Sequence, residues 1–368
     1  MRISLAALIS TFGLILALAA PAGAATSLPN DFAGMNAQWV FTAPRETWDA
    51  HLAAMAAGGI RGVRSDATWA AIEPAPPTKG VHSYDWSSSD AIVTALAQRG
   101  LRWQPVLGYS AKWASQIPGD EHAPPTNTAD YAAFAGALAA RYGDGGVFWK
   151  SHRQLPAMPV RSYEIWNEEN LSYFWHTGVN AAVYAELYAA ARKAIRSRVP
   201  SPQVMVGGLS PGGQDPPKFV EAMLAQRPDL RGQLDAVALH PYATTEAAAI
   251  ALVVRLRWGL WYLGSMDAPI IANEYGWSTG GSAAVTEEWR AAQTAQLTSD
   301  LARSDCNVGG VAPYTWTGNQ AAGGAEAGFG LVDASGVQSA TAVAYMATVR
   351  DAMAGKLGAP GSLQSCFG

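Results

Sequence analysis

Hydrophobic positions along the chain follow two alternating patterns. Short runs rich in β-branched and aromatic residues alternate with alanine-rich stretches in which apolar residues recur at helical spacing. The short runs predict eight strands, at residues 31–39, 61–69, 102–113, 161–167, 203–209, 234–242, 269–275 and 308–316. The alanine-rich stretches predict eight helices, at residues 45–58, 85–100, 128–142, 180–198, 216–226, 245–263, 284–304 and 338–354.

This alternation of strands and helices indicates a parallel sheet. There are eight repeats, and the amino-acid composition does not change along the chain in the way that a second domain would cause. This predicts an α/β protein that forms a single-domain (β/α)8 barrel, the TIM barrel. An open, doubly wound sheet is the structural alternative. Stretches rich in proline and glycine follow several strands, and we expect them to be loops around a cleft, at residues 73–80, 118–126, 210–217 and 317–330.

The first residues of the chain have the pattern of an export signal. An apolar stretch at residues 3–20 follows Arg2, and Ala22 and Ala24 form the small-x-small pattern of a signal-peptidase site. We expect residues 1–24 to be a cleaved signal peptide and residues 25–368 to be the mature domain. An uncleaved anchor is the alternative, because about 18 apolar residues are near the lower limit for spanning a bilayer. Cleavage predicts a secreted, periplasmic or cell-surface protein without membrane contact.

The charge of the chain argues against polyanionic partners. The sequence has 25 basic and 29 acidic side chains, a formal net charge of −4, and no run of lysine or arginine. Nucleic acids and anionic membrane surfaces attract proteins through basic patches, so neither is expected as a partner. We expect a monomer.

The cysteines and histidines indicate a disulfide rather than a metal site. Cys306 and Cys366 are the only cysteines, and an exported protein meets an oxidising environment, so we expect them to form a disulfide. Two unrelated buried thiols are the alternative. The six histidines are scattered, and the sequence has neither a metalloprotease motif nor a dinucleotide-binding fingerprint after a strand. No metal and no cofactor are expected.

Two glutamates lie at predicted strand ends, where a barrel of this type carries its reactive groups. Glu168 ends the fourth strand and Glu274 ends the seventh. Hydrolysis of an acetal needs a proton for the leaving oxygen and electron density for the oxocarbenium-like carbon, and two carboxyl groups in different environments supply both. We expect Trp166 and Trp175 to desolvate Glu168 and so make it the acid. A single glutamate at a strand end is more often structural, but two in such surroundings favour catalysis.

Three segments resemble a known group of enzymes. Tyr163–Asn170 contains Trp-Asn-Glu, Ile270–Trp277 contains Asn-Glu-Tyr-Gly, and Gly62–Pro74 is followed by Tyr84–Trp86. Together they resemble clan A, the retaining (β/α)8 glycoside hydrolases, and within it family 39 and related cellulase-like bacterial polysaccharide hydrolases. The resemblance covers most of residues 25–368. It implies a catalytic domain that cleaves a polysaccharide or oligosaccharide through a covalent glycosyl-enzyme intermediate.

The resemblance also implies roles for particular side chains. Glu168 is expected to be the general acid/base and Glu274 the nucleophile. Asn167 is expected to bind the sugar hydroxyl next to the anomeric carbon, and Arg64 to orient Glu274. Many relatives have proline after the acid/base, whereas this chain has Glu169. That difference leaves open which of the two consecutive glutamates faces the cleft, and Glu168 is favoured because it directly follows Trp-Asn.

Further binding residues are expected around the nucleophile. The resemblance implies that His240 and Tyr242 border it and that Trp316 forms the floor of the subsite for the sugar on the non-reducing side. Sugar faces pack well on tryptophan rings, which makes Trp277 a second expected cleft residue. Packing between barrel and helices is the alternative role for such tryptophans.

Other functions are weaker interpretations. Gly208–Gly212 matches the G-x-S-x-G pattern of serine hydrolases, but Pro211 lacks the backbone N–H that such enzymes direct at the oxyanion. A catalytically silent carbohydrate-binding barrel and a transglycosylase that uses the same two glutamates are alternatives. The sugar, the linkage and the choice between internal and terminal cleavage stay open at this stage.

Overall fold

A computed structural model describes residues 28–333, 335–357 and 366 of the chain. The predicted signal peptide, residues 1–24, lies outside the described residues. Within the described part, none of the helices combines the length and the apolar character that crossing a bilayer requires.

Eight parallel strands form the centre of the protein. Each strand pairs with the next one along the chain, and Ala33, just before the first strand, forms a parallel bridge with Val311 at the end of the last. The predicted (β/α)8 barrel is therefore confirmed, and the open sheet is ruled out because the first and last strands are neighbours. The strands are β1 (Gly34–Asn36), β2 (Gly62–Asp66), β3 (Arg102–Leu107), β4 (Ser162–Ile165), β5 (Gln203–Leu209), β6 (Ala236–Leu239), β7 (Ile270–Ala272) and β8 (Val308–Val311).

Helices follow the strands and surround the barrel. All eight predicted helices are present, and four short helices lie in loops in addition. One short helix starts at Trp69, where the sequence pattern predicted the end of a strand. The helices are α1 (Gln38–Thr42), α2 (Arg45–Ala57), α3 (Trp69–Ile72), α4 (Ser87–Gln98), α5 (Thr128–Tyr142), α6 (Val147–Ser151), α7 (Ala181–Arg196), α8 (Pro216–Gln226), α9 (Glu246–Tyr262), α10 (Glu287–Arg303), α11 (Gly324–Gly328) and α12 (Ala340–Met353).

Buried tyrosines attach the helices to the barrel. Their rings contribute large apolar areas to the interface between helices and strands, while their hydroxyl groups donate hydrogen bonds to strand carbonyls. Tyr184 of α7 donates to Ile165 at 2.8 Å, and Tyr188 donates to Val204 at 2.9 Å. Tyr345 of α12 donates to the carbonyl of Gly34 in the same way. These contacts position the strand ends that carry the site.

The C-terminal part is joined to the barrel by the predicted disulfide. Cys306, just before β8, and Cys366 form the bond, with a distance of 5.3 Å between their Cα atoms. The backbone N–H of Cys366 donates to the carboxylate of Asp305 at 2.6 Å. Cys366 is thereby held next to the start of β8.

Candidate active site

An arginine lies at the centre of a buried polar cluster at the carboxyl ends of the strands. Arg64 on β2 binds Glu164 on β4 with two hydrogen bonds, from Nε at 2.7 Å and from Nη2 at 2.9 Å. Its Nη1 donates to Asn36 at 2.7 Å and also to Glu274. Its Nη2 donates to Asn167 at 2.8 Å. The guanidinium group is therefore held by four side chains, which belong to β1, to β4 and the segment after it, and to the segment after β7.

Glu164, which sequence reasoning missed, is the main partner of that arginine. Its side chain is 1% exposed, and it also accepts hydrogen bonds from Asn273 at 2.8 Å and from the N–H of Gly208 at 3.0 Å. A carboxylate this deeply buried is tolerated because donors satisfy both oxygens. Burial by itself lowers the pKa of Arg64, but the charges of Glu164 and Glu274 outweigh burial and raise it. The sequence did contain a signal for this residue, because Glu164 is a charged residue at an inward-facing position of a buried strand.

The two predicted catalytic carboxylates face the same cleft. The Nδ1 atom of His240 lies 2.9 Å from a carboxylate oxygen of Glu168 and 3.5 Å from one of Glu274. The sum of these two distances is an upper limit to the distance between that oxygen of Glu168 and that oxygen of Glu274. Tyr242 donates a hydrogen bond to Glu274 at 3.1 Å. The structure thus brings all four predicted residues together.

His240 occupies a position that only a glycine neighbour permits. Its ring is fully buried beside Gly208 of β5, and a Cβ atom at that glycine would lie 1.8 Å from Nε2. Any side chain there would displace the imidazole. Burial lowers the pKa of His240, but the charge of Glu274 and the charge and hydrogen bond of Glu168 raise it more. The two carboxylates therefore shift His240 towards its protonated form.

The backbone after β4 determines which glutamate faces the cleft. Trp166 and Glu168 have φ angles of 71° and 49°, in the left-handed region that non-glycine residues seldom adopt. Glu168 lines the cleft, whereas Glu169 is fully buried. Trp166 and Trp175 were expected to desolvate Glu168. Instead they are fully buried and pack against each other, with ring centroids 5.1 Å apart.

Glu169 is a buried acid whose carboxyl oxygens make no well-formed hydrogen bond among the described residues, and its weak contact with the hydroxyl of Tyr184, which donates to Ile165, only partly opposes the effect of burial on its pKa. Burial raises its pKa well above the usual 4.5, and the charges of Glu164 and Glu168 add to the shift. The neutral form is therefore favoured in the folded protein relative to the unfolded chain. Because the unfolded chain releases this proton above about pH 4.5, Glu169 should make the protein less stable as the pH rises.

Replacing Glu169 with glutamine should remove this dependence on pH. Relative to the native protein, the variant should gain about 1.4 kcal/mol in free energy of unfolding for each pH unit above 4.5, until the folded-state pKa is reached. Urea denaturation at several pH values between 4 and 8 measures the difference. Glu221→Gln, at an exposed position on α8, is the control. A constant difference between Glu169→Gln and native protein would show that Glu169 is ionised in the folded state.

The cleft above the two carboxylates has a volume of about 770 Å³. The loops after β3 and β4 form one wall, and the segments after β1 and β8 form the other. Sequence reasoning did not assign the aromatic residues of these walls to the cleft, and apart from Trp39 in α1 they lie in irregular segments. They are Tyr109, Tyr173 and Phe174 on the first wall and Trp39, Tyr314 and Phe329 on the second.

The two tryptophans predicted for the cleft lie elsewhere. Trp316 is fully buried, and its indole N–H donates to His51 of α2 at 3.1 Å. Trp277 is 8% exposed and donates to the carbonyl of Ala243 at 2.7 Å. The backbone of Trp316 is hydrogen-bonded to the end of β1, which directs the ring between the barrel and α2. Tyr314 lines the cleft where Trp316 was expected.

Comparison of the sequence with known proteins gives no match to any family model and none to a curated protein. Comparison of the structure does give matches. The fold is similar to that of a monomeric beta-xylosidase from Caulobacter crescentus CB15, with a TM-score of 0.66 and 18% identity over 88% of this chain and 69% of that chain.

Two further solved structures are similar. For the GH39 enzyme from Xanthomonas axonopodis pv. citri the TM-score is 0.64 and the identity 19%, over 88% of this chain and 67% of that chain. For GH5_18 from Streptomyces cattleya in complex with GlcNAc the TM-score is 0.65 and the identity 17%, over 91% of this chain and 83% of that chain. At these identities the likeness shows a shared fold, and the chemistry has to be argued from the site.

Proposed function

We propose that the protein is a glycoside hydrolase that cleaves a polysaccharide or oligosaccharide with retention at the anomeric carbon. The observation that carries this proposal is the pair Glu168 and Glu274, which face one cleft within reach of the same His240 nitrogen. The similarity in fold to a beta-xylosidase and a GH39 enzyme supports it.

The spacing of the carboxylates is compatible with retention. The contacts through His240 set an upper limit on the distance between one oxygen of Glu168 and one of Glu274, and this limit allows the gap of about 5–5.5 Å between the carboxyl groups of retaining glycosidases, whereas inverting ones have a gap of about 6.5–9.5 Å. Inverting enzymes need that wider gap because a water molecule lies between the carboxylate and the sugar. A shorter gap suits direct attack by Glu274 and a covalent intermediate.

Glu274 is placed to be the nucleophile. Arg64 and Tyr242 donate hydrogen bonds to its carboxylate, and the imidazole of His240 lies next to it. These groups hold the carboxylate in one orientation. Asn167 accepts a bond from Arg64 through its side-chain oxygen, so its NH₂ group remains to bind a sugar hydroxyl.

Glu168 is placed to move the proton. In the first step it would give its proton to the leaving oxygen as the bond to the anomeric carbon breaks and Glu274 attacks. In the second step it would take a proton from water, whose oxygen displaces Glu274. The hydrogen bond to His240 orients Glu168 for both steps.

The charges of the cleft favour sugars that carry no negative charge. Asp66 and Glu326 line it in addition to the two catalytic carboxylates. Among the described lining residues Arg64 is the only lysine or arginine, and its donors are already engaged. Burial raises the pKa of Asp66 to about 6. A uronate or sulfate group would meet repulsion in this cleft.

We also propose that the protein acts outside the cytoplasm. The disulfide between Cys306 and Cys366 supports this location, because such bonds persist in oxidising compartments. The apolar N-terminal pattern of residues 3–20 would direct export.

Replacing Glu168 with alanine tests the proposed reaction. Turnover of a natural glycan should fall by about 10²–10⁴-fold, because proton transfer to the leaving oxygen is lost. A 4-nitrophenyl glycoside needs little protonation and should still react in the first step. Azide should then restore turnover and give a glycosyl azide, since this anion replaces water without a base. The products are identified by mass spectrometry and proton NMR.

Several outcomes would contradict the proposal. Near-native activity of the Glu168 variant, or a native product with inverted anomeric configuration, would exclude the assigned mechanism. A native protein that gains thermal stability from glycans and cleaves none would be a silent binding barrel. Products longer than the substrate would identify a transglycosylase.

A further inference from the structure

A second cavity adjoins the catalytic cleft. This side pocket, bounded by residues 39–51 and 317–321, has a volume of about 310 Å³, within the usual range for small-ligand sites. Trp39 and Asn319 line both the side pocket and the cleft. The indole N–H of Trp39 donates to the hydroxyl of Tyr314 at 3.3 Å, which holds the ring at the boundary. The two cavities therefore adjoin at Trp39 and Asn319.

His51 lines the side pocket and has a ring N–H group that can donate a hydrogen bond. Its side chain is largely buried, and its Nδ1 lies 3.1 Å from the indole nitrogen of Trp316. An indole nitrogen can only donate, so Nδ1 accepts and the neutral imidazole carries its proton on Nε2. Burial lowers the pKa of His51, which favours this neutral form. No described residue accepts a hydrogen bond from Nε2, and the ring lines the pocket.

A second polar group in the side pocket also lacks a partner. The hydroxyl of Thr317 is buried and makes no hydrogen bond within the described part of the chain. Buried polar groups are usually paired, and an unpaired one costs free energy. Val40, Ala43 and Pro44 supply apolar surface around the two groups. Apolar surface with a few unpaired donors and acceptors complements a sugar, which has C–H faces and hydroxyl groups.

The position of the side pocket indicates which end of the substrate it would bind. If the proposed function holds, the leaving group lies next to Glu168 and the loops after β3 and β4. The side pocket lies on the other wall, formed by the segments after β1 and β8. We propose that the side pocket binds the sugar unit that precedes the one attacked by Glu274. The enzyme would then cleave within chains and hold at least two units on the non-reducing side.

Blocking the side pocket tests this proposal. The probes are 4-nitrophenyl β-glycosides with one, two or three β-1,4-linked xylose or glucose units. For the native protein kcat/KM should rise at least about tenfold from one unit to two. Thr47→Phe fills the pocket from α2 and should abolish this rise, while activity on the one-unit glycoside stays within about twofold. Ala50→Phe, at an exposed position of the same helix, is the control and should keep the rise.

A milder variant separates binding from misfolding. Thr317→Val keeps the shape of the side chain and removes its hydroxyl. The ratio of kcat/KM for the two-unit glycoside to kcat/KM for the one-unit glycoside should therefore fall about fivefold. Equal native kcat/KM values for one and two units would overturn the subsite and leave the proposed hydrolase intact. If kcat/KM of Thr47→Phe still rose from one unit to two, the subsite proposal would also be overturned. Products of a cleaved polysaccharide should be two units or longer, and successive release of single units would contradict the proposal.

Discussion

Replacing Glu274 with glutamine should reduce turnover on the order of 10⁴- to 10⁶-fold, as expected when a covalent nucleophile is lost. The amide has nearly the same shape as the carboxylate, and its single oxygen can still accept the hydrogen bond of either Arg64 or Tyr242, which bind different oxygens of Glu274. It cannot form a glycosyl ester. The fold should therefore stay intact while the first chemical step fails.

The measurement for this variant is kcat on any glycoside that the native protein cleaves, together with the midpoint of thermal unfolding. Glu288→Gln, at an exposed position in the first turn of α10, controls for the loss of a charge. A 2-deoxy-2-fluoro glycoside with a good leaving group should also add one sugar mass to the native peptide containing Glu274. Near-native kcat for Glu274→Gln, or a label on another residue, would exclude Glu274 as the nucleophile.

Replacing Glu164 with alanine should lower the free energy of unfolding by about 3–5 kcal/mol. The change leaves the charge of Arg64 buried without the partner that accepts two of its hydrogen bonds. The donor groups of Asn273 and Gly208 also lose their acceptor. Activity should fall as well, because Arg64 would no longer be held in the orientation that supports Glu274.

Urea denaturation at pH 7 measures this loss, and kcat reports the change at the site. Arg64→Met combined with Glu164→Met is the matched variant, because it removes both charges and keeps the volume. Replacing both members of a buried ion pair costs less than removing one, so the double variant should be the more stable of the two. It should be inactive, since Glu274 loses its arginine. Native-like stability of Glu164→Ala would show that Arg64 does not depend on this pair.

Much of the fold could be predicted because its signals are local. β5 has the predicted bounds Gln203–Leu209, and each of the eight long helices overlaps its predicted range. Most other strands are shorter than predicted. In the segments after β2 and β8 the aromatic pattern continues into residues such as Trp69 and Trp316, which lie in a short helix and a loop. An apolar residue has the same hydrophobic signal whether it ends a strand or starts the next loop.

The meeting of Glu168 and Glu274 could be predicted for a topological reason. Parallel strands of a closed barrel all end at the same rim, so residues that follow β4 and β7 meet there despite their separation in the chain. Arg64, His240 and Tyr242 were expected at the site from the resemblance to clan A. Neither line of reasoning could find Glu164, whose role depends on which inward-facing side chains of neighbouring strands lie at the same depth.

The sequence by itself determined the repeat of strands and helices, the disulfide partners and the two carboxylates at the rim, because each depends on periodicity, on composition or on order along the chain. Only the tertiary structure decided that Tyr314 rather than Trp316 lines the cleft, that Glu169 is buried, and that a side pocket lies beside Trp39. Those features depend on the path of irregular loops and on contacts between residues far apart in the chain, and no local pattern encodes the direction of a side chain in such a segment.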